Sequence, residues 1–173
     1  MKYIADKEVD KRASLVVDLL TNKGWTISFA ESCTAGFAAA HLVDVPSASN
    51  VIGSSFVTYS DKAKIELCWV SENTIKKKGA VSEDVAVQMA IGTAYVNRSH
   101  IGVGISGYAG PTGGTKEAPV GTVCFGFYFN GMTMSATKQF GNIGRDDVRI
   151  ASVDYVYDYL AAMLPTIINT DSE

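Results

Sequence analysis

Apolar residues along this chain change their spacing several times, and that change of period constrains its fold more than anything else. Val9, Ala13, Val16, Val17 and Leu20 recur at helical spacing and share one face. Asn22-Lys23-Gly24 then supplies a stop, with a glycine free to take positive φ. The next five residues, Trp25-Thr26-Ile27-Ser28-Phe29, are β-rich and alternating, which predicts a strand. After Glu31-Ser32-Cys33-Thr34 the chain turns small and apolar from Ala35 to Leu42, as a tightly packed helix would. The expected result is a strand–turn–helix unit with Ser32 at its corner.

The alternation continues. Pro46 to Asn50 is turn-rich, residues 51–58 read as a second strand, and Tyr59-Ser60-Asp61 opens a short helix through Leu67. Ser82 has the chemistry of an N-cap, with Glu83 and Asp84 complementing the dipole of a helix running to Asn97. Residues 101–106 form a glycine-laced, apolar strand. Residues 107–120 hold four glycines, two prolines and two threonines and must be a loop. Strands over 120–129 and 132–140 flank Asn130-Gly131, a strong hairpin signal, and a final helix is expected over 145–163. Strands alternating with helices, then a hairpin, predict a single α/β domain over 1–173 with its core at 7–164. Its layers are α/β/α, around a mixed, mostly parallel sheet of about five strands. The last helix is apolar on two faces, Val148, Ala151, Tyr155 and Tyr159 on one and Val153, Val156, Leu160 and Leu164 on the other. That breadth suits either a well-covered core helix or a self-association surface, and on it we expect a homo-oligomer.

Composition removes whole classes. With 173 residues, 47% hydrophobic and 19% charged, the chain can bury a core without disulfides or a structural metal. No stretch reaches the roughly 20 apolar residues of a membrane span, and Met1 to Lys11 lack a signal-peptide core. Cys33, Cys68 and Cys124 are odd in number and widely spaced, as reduced thiols are, so the expected compartment is the cytosol. A net charge of −3 argues against charge-driven nucleic-acid binding, and Lys76-Lys77-Lys78 reads as a solvated helix end.

Familiar catalytic patterns fail here. Only His41 and His100 exist, both expected as surface or capping residues, so no Ser-His-Asp triad or zinc site is built. Gly102, Gly104 and Gly107 match the dinucleotide pattern GxGxxG, but they lie inside the strand instead of opening a helix. The following loop, Ala109 to Thr115, could present backbone N–H groups to an anion or be a structural turn. Ser32 could be an N-cap. The same corner could equally offer N–H donors to an oxyanion or phosphate. With no histidine base, an activated Ser32 needs a lysine or tyrosine to take its proton, and Tyr59 and Lys64 are the candidates.

Five ordered segments carry a resemblance. Ala30 to Gly36 (AESCTAG) resembles AESCTGG, and Val57 to Lys64 (VTYSDKAK) resembles VTYSNEAK. Lys78 to Glu83 (KGAVSE) is similar to HGAVSE, Ser106 to Gly114 (SGYAGPTGG) to SGIAGPGGG, and Pro119 to Val123 to PVGTV. Arg145 to Arg149 matches the arginine segment that opens the last helix. By these the chain is identified as resembling the CinA C-terminal domain family across residues 7–164. The resemblance implies hydrolysis of the carboxamide of nicotinamide mononucleotide to nicotinate mononucleotide and ammonia, with no cofactor and no metal. It implies Ser32 as nucleophile, Lys64 as general base and Tyr59 as the hydroxyl relaying or orienting the proton. Thr34, Gly36, Gly110, Thr112, Gly113, Gly114, Thr115 and Arg145 would bind a small nucleotide substrate; no nucleic-acid or membrane partner is expected. Ala35, Ser55, Tyr108, Ala118 and Gly144 depart from the family pattern, clustering around the ligand loops. They leave open a different carboxamide as substrate, or a catalytically silent nucleotide-binding module.

Overall fold

A computed structural model describes residues 7–170, with side chains over 11–169. The side chain of Val9 and the first residues expected to lack a leader lie outside the described residues. Among the described residues eleven α-helices and β-strands follow in order, with a 3-10 turn at Ala48–Asn50 between α2 and β2: α1 (Lys7–Lys23), β1 (Ile27–Glu31), α2 (Phe37–Val43), β2 (Phe56–Val57), α3 (Asp61–Cys68), α4 (Glu72–Lys78), α5 (Glu83–Asn97), β3 (Ile101–Gly107), β4 (Thr122–Phe129), β5 (Met132–Gln139) and α6 (Arg145–Thr170). The five strands lie in the order β2-β1-β3-β4-β5. β1 pairs in parallel with β2 and β3, while β4 is antiparallel to both β3 and β5. Four strands therefore run one way and β4 runs against them, giving the expected mixed sheet. Among the described residues no helix is long and apolar enough to cross a membrane.

The two faces of the sheet are covered differently. On one, α1, α2 and α6 pack Val16, Leu20, Leu42, Val156, Tyr157 and Leu160 against Phe29, Val103, Ile105, Phe125 and Phe127. On the other, α5 lies almost on the backbone of the sheet. A Cβ on Gly102, Gly104 or Gly126 would come within 2.0, 2.1 and 2.2 Å of the carbonyl oxygens of Ala90, Ala86 and Ala86. The apparent dinucleotide motif is thus a packing device: glycines on the strands and alanines on α5 let helix and sheet approach closely.

Several elements differ from the sequence expectation, each for a packing reason. β1 begins and ends two residues later than the alternation suggests, because all five of its residues are buried between two neighbouring strands and two helix layers. Trp25 stacks instead on His100, with ring centroids 5.6 Å apart. The strand expected over 51–58 shrinks to Phe56–Val57 plus a single bridge from Ile52 to Ile27. Ser55 fills the gap, its Oγ accepting the Phe29 N–H at 3.0 Å. His41 is not at the surface: it is 4% exposed and tilts against Tyr157. α6 runs past Met163 and through Pro165 to Thr170, because Leu164 and Ile167 remain buried in the core and outweigh the lost N–H. The two apolar faces of α6 are spent inside the chain. Val148, Val153, Val156, Leu160 and Leu164 are buried, while Tyr155 tilts against Phe125 and Tyr159 stacks on Phe127.

Candidate active site

Three strand ends meet one loop to make the site. β1 ends at Glu31, a fully buried carboxylate, and Ser32 follows with its N–H held by the Ile105 carbonyl of β3 at 2.9 Å. Ser32 is 8% exposed. After β2, Ser60 caps α3 by accepting the Ala63 N–H, which places Lys64 one turn into the helix and facing inward. Lys64 is 2% exposed. Its Nζ lies 3.2 Å from Ser32 Oγ and donates to the Thr58 carbonyl at 3.0 Å.

Burial is the main influence on that amine, lowering its pKa from the ordinary lysine value because the core disfavours the charged form. The Asp61 carboxylate, 4.0 Å away, pulls weakly in the other direction. The neighbouring thiol behaves oppositely. Burial pushes Cys33 up to about 12, so it stays protonated and offers no competing nucleophile.

A cleft of about 210 Å³ opens over this pair, lined by Ser32, Cys33, Tyr59, Asp61, Lys64, Tyr108, Gly110, Thr112 and Arg145 among others. Arg145, first residue of α6, spans its mouth. One guanidinium nitrogen donates to the Gly110 carbonyl at 2.6 Å and another to the Tyr59 hydroxyl at 2.9 Å. Tyr59 is 60% exposed and, among the described residues, makes no hydrogen bond to Ser32 or Lys64. Its geometry is that of a partner orienting Arg145 at the rim.

The structure thus brings together Ser32, Lys64, Tyr59, Gly110, Thr112 and Arg145. It keeps others out of the cleft. Thr34 is fully buried and its carbonyl accepts from Arg149 at 3.0 Å. The Gly36 N–H is held by Glu31. Gly113 and Gly114 are exposed on the loop, and Thr115 faces a neighbouring cavity of about 470 Å³. The N–H groups expected at the Ser32 corner are largely taken: Glu31 accepts from Gly36, Ala38 and Ala39 at 3.0, 3.1 and 2.9 Å. A substrate anion therefore cannot use the start of α2. Sequence reasoning passed over Glu31, whose signal was a carboxylate inside an otherwise apolar strand, and Ser106, whose Oγ ties the cleft wall to Ala80 at 2.7 Å. Among the described residues no three His, Cys, Asp or Glu side chains gather where they could hold a metal ion.

Residues 9–164 match the CinA C-terminal domain. The chain belongs to that family. A CinA-like protein of Kosmotoga olearia is 40% identical over 167 residues, covering 96% of this chain and 40% of that protein. The nicotinamide-nucleotide amidohydrolase PncC of Enterobacter agglomerans is 40% identical over 148 residues, covering 85% of this chain and 90% of its own length. The crystal structure of the competence/damage inducible protein CihA from Agrobacterium tumefaciens superposes with a TM-score of 0.87 at 36% identity, covering 90% of this chain and 95% of that one. This CinA domain spans well under half the length of several of the curated relatives it matches, 28–40% in the first three. In it, the Ser32 loop, the Lys64 helix and the Arg145 helix start are three of the segments that carry the family resemblance.

Proposed function

We propose that this CinA domain is an amidohydrolase that removes the amide nitrogen of nicotinamide mononucleotide, leaving nicotinate mononucleotide and ammonia. The observation that carries the reading is the buried amine of Lys64 at 3.2 Å from Ser32 Oγ, at the floor of a cleft. An amide is a poor acylating agent, so its hydrolysis needs an activated nucleophile and stabilisation of the tetrahedral oxyanion. A lysine serves as base only when neutral, and burial of Lys64 favours the neutral form.

In this reading Ser32 Oγ attacks the carboxamide carbon while its proton passes to Lys64 Nζ. The resulting ammonium returns the proton to the departing nitrogen as the C–N bond breaks, releasing ammonia and leaving an ester on Ser32. Water then attacks that ester, again losing a proton to Lys64, and the carboxylic acid leaves with Ser32 restored. Cys33 lines the cleft, and its main-chain N–H, for which no carbonyl acceptor occurs among the described residues, is the donor we assign to the oxyanion. Arg145 at the mouth supplies positive charge for the phosphate, with Tyr59 and Gly110 orienting its guanidinium. The name carried by the Enterobacter relative supports the same substrate.

Ammonia release from the mononucleotide, wild type against Ser32→Ala and Lys64→Met, tests this. Wild type should turn over, and each variant should lose about 1,000-fold or more in kcat. Tight binding of the mononucleotide without ammonia release would instead identify a silent nucleotide-binding module, and release from other carboxamides alone would reassign the substrate.

A further inference from the structure

We propose that Glu31 and Arg149 form a clamp that positions the nucleophile, an inference that rests on Ser32 being that nucleophile. Neither side chain is assigned to the reacting atoms. Both act on the backbone of residues 32–36, from opposite ends.

That backbone is in a conformation it would not hold alone. Ala35 and Gly36 are consecutive left-handed residues, at φ 53° and 90°. For a residue with a Cβ this region is unfavourable, and such strain persists only where the surroundings over-determine it. Here the surroundings are two buried or part-buried charges. The Glu31 carboxylate, 0% exposed, accepts the N–H groups of Gly36, Ala38 and Ala39 through both of its oxygens. Arg149 reaches across from α6 and donates to the Thr34 carbonyl at 3.0 Å, its guanidinium 5.5 Å from the Phe37 ring. Hydrogen bonds to ionised groups are the strong ones, and these hold the loop by its donors on one side and by an acceptor on the other.

The placement separates positioning from simple capping. A helix is ordinarily capped by a short polar side chain in the loop just before it. The residue at that position here, Gly36, has no side chain to offer, and the cap comes from the strand residue immediately preceding Ser32. Through Glu31 the end of β1, the nucleophile and the start of α2 become one rigid unit. Ser32 Oγ sits at the long end of hydrogen-bond reach from Lys64 Nζ, so a small relaxation of the loop separates them.

The test uses the whole chain and a probe independent of the amide substrate. Phenylmethylsulfonyl fluoride sulfonylates an activated serine: an Oγ–S bond forms, fluoride leaves, and the serine proton passes to Lys64. The second-order labelling rate at Ser32 is read by mass spectrometry against pH, beside circular dichroism and the melting temperature. Glu31→Gln is isosteric but cannot accept all three N–H groups, and Glu31→Asp keeps the charge but falls short of them. Both should remain folded and label about 10–100-fold more slowly, with the pH midpoint of wild type retained because Lys64 is untouched. Arg149→Met should slow labelling in the same sense. A folded Glu31→Gln protein that labels at the wild-type rate overturns the clamp. Should Glu31→Gln fail to fold, Arg149→Met decides, and an unchanged rate there overturns it equally. Absence of labelling on wild-type Ser32 is a different failure: it removes the nucleophile, and with it both the hydrolytic reading and the clamp.

Discussion

Lys64 sits almost wholly inside the protein with its amine shared between Ser32 and the Thr58 carbonyl, so its protonation bears on stability and, in the proposed mechanism, on turnover. Folding moves this amine from water to the core and lowers its pKa below the unfolded value of about 10.4. Between the lowered pKa and about 10.4 the unfolded chain binds more protons than the folded one, so this group's contribution to stability rises with pH across that window. Urea midpoints of wild type should therefore climb across that window relative to those of Lys64→Met, in which the rise is flattened. Turnover should likewise increase with pH to a plateau as Lys64 deprotonates, with a midpoint below the ordinary lysine range. A midpoint at about 10.4 would mean the amine is not desolvated. Arg145 belongs to the same scale. Its guanidinium is held at the rim, away from the Ser32–Lys64 pair, so Arg145→Ala should raise KM for the mononucleotide about 10-fold or more while changing kcat far less.

At the scale of elements, the contact of α5 with the sheet leaves no room for an added methyl. Gly102, Gly104 and Gly126 lie under the carbonyls of Ala86 and Ala90, and an added methyl at any of them meets helix backbone, which cannot swing aside as a side chain would. Gly104→Ala should cost about 3 kcal/mol in urea denaturation. Gly131→Ala, at the hairpin tip with open space around it but positive φ, should cost only about 1 kcal/mol. β3 is the strand that carries both Gly104 and Ile105, whose carbonyl holds the Ser32 N–H. A displaced α5–β3 contact should therefore reduce activity as well as stability.

For the whole molecule, the layers close around continuous cores on both faces of one sheet, and we expect a single cooperative calorimetric transition. The residues of both apolar faces of α6 are buried or half-buried within the chain, so the homo-oligomer we propose would draw its contact from elsewhere. Exposed apolar residues such as Trp69, Tyr95 and Val43 are what another copy would have to use. Light scattering at micromolar concentration decides the matter, a mass above 18.4 kDa supporting association and that mass discarding it.

Much of this was legible in the chain itself. Change of apolar period predicted the α/β order, Ser82 and Asn130-Gly131 marked their boundaries through local chemistry, and the ordered motifs singled out Ser32 and Lys64. These signals are local, so adjacent residues are enough to read them. What only the tertiary structure decided was which distant groups share a bond. Burial on two faces masked the period of β1, and a serine hydroxyl replaced part of β2. A carboxylate in β1 occupied the helix N–H groups that local reasoning had left for a substrate. Arg149 meets Thr34 across 115 positions of sequence. Such pairings are set by packing of whole layers, and no window along the chain contains them.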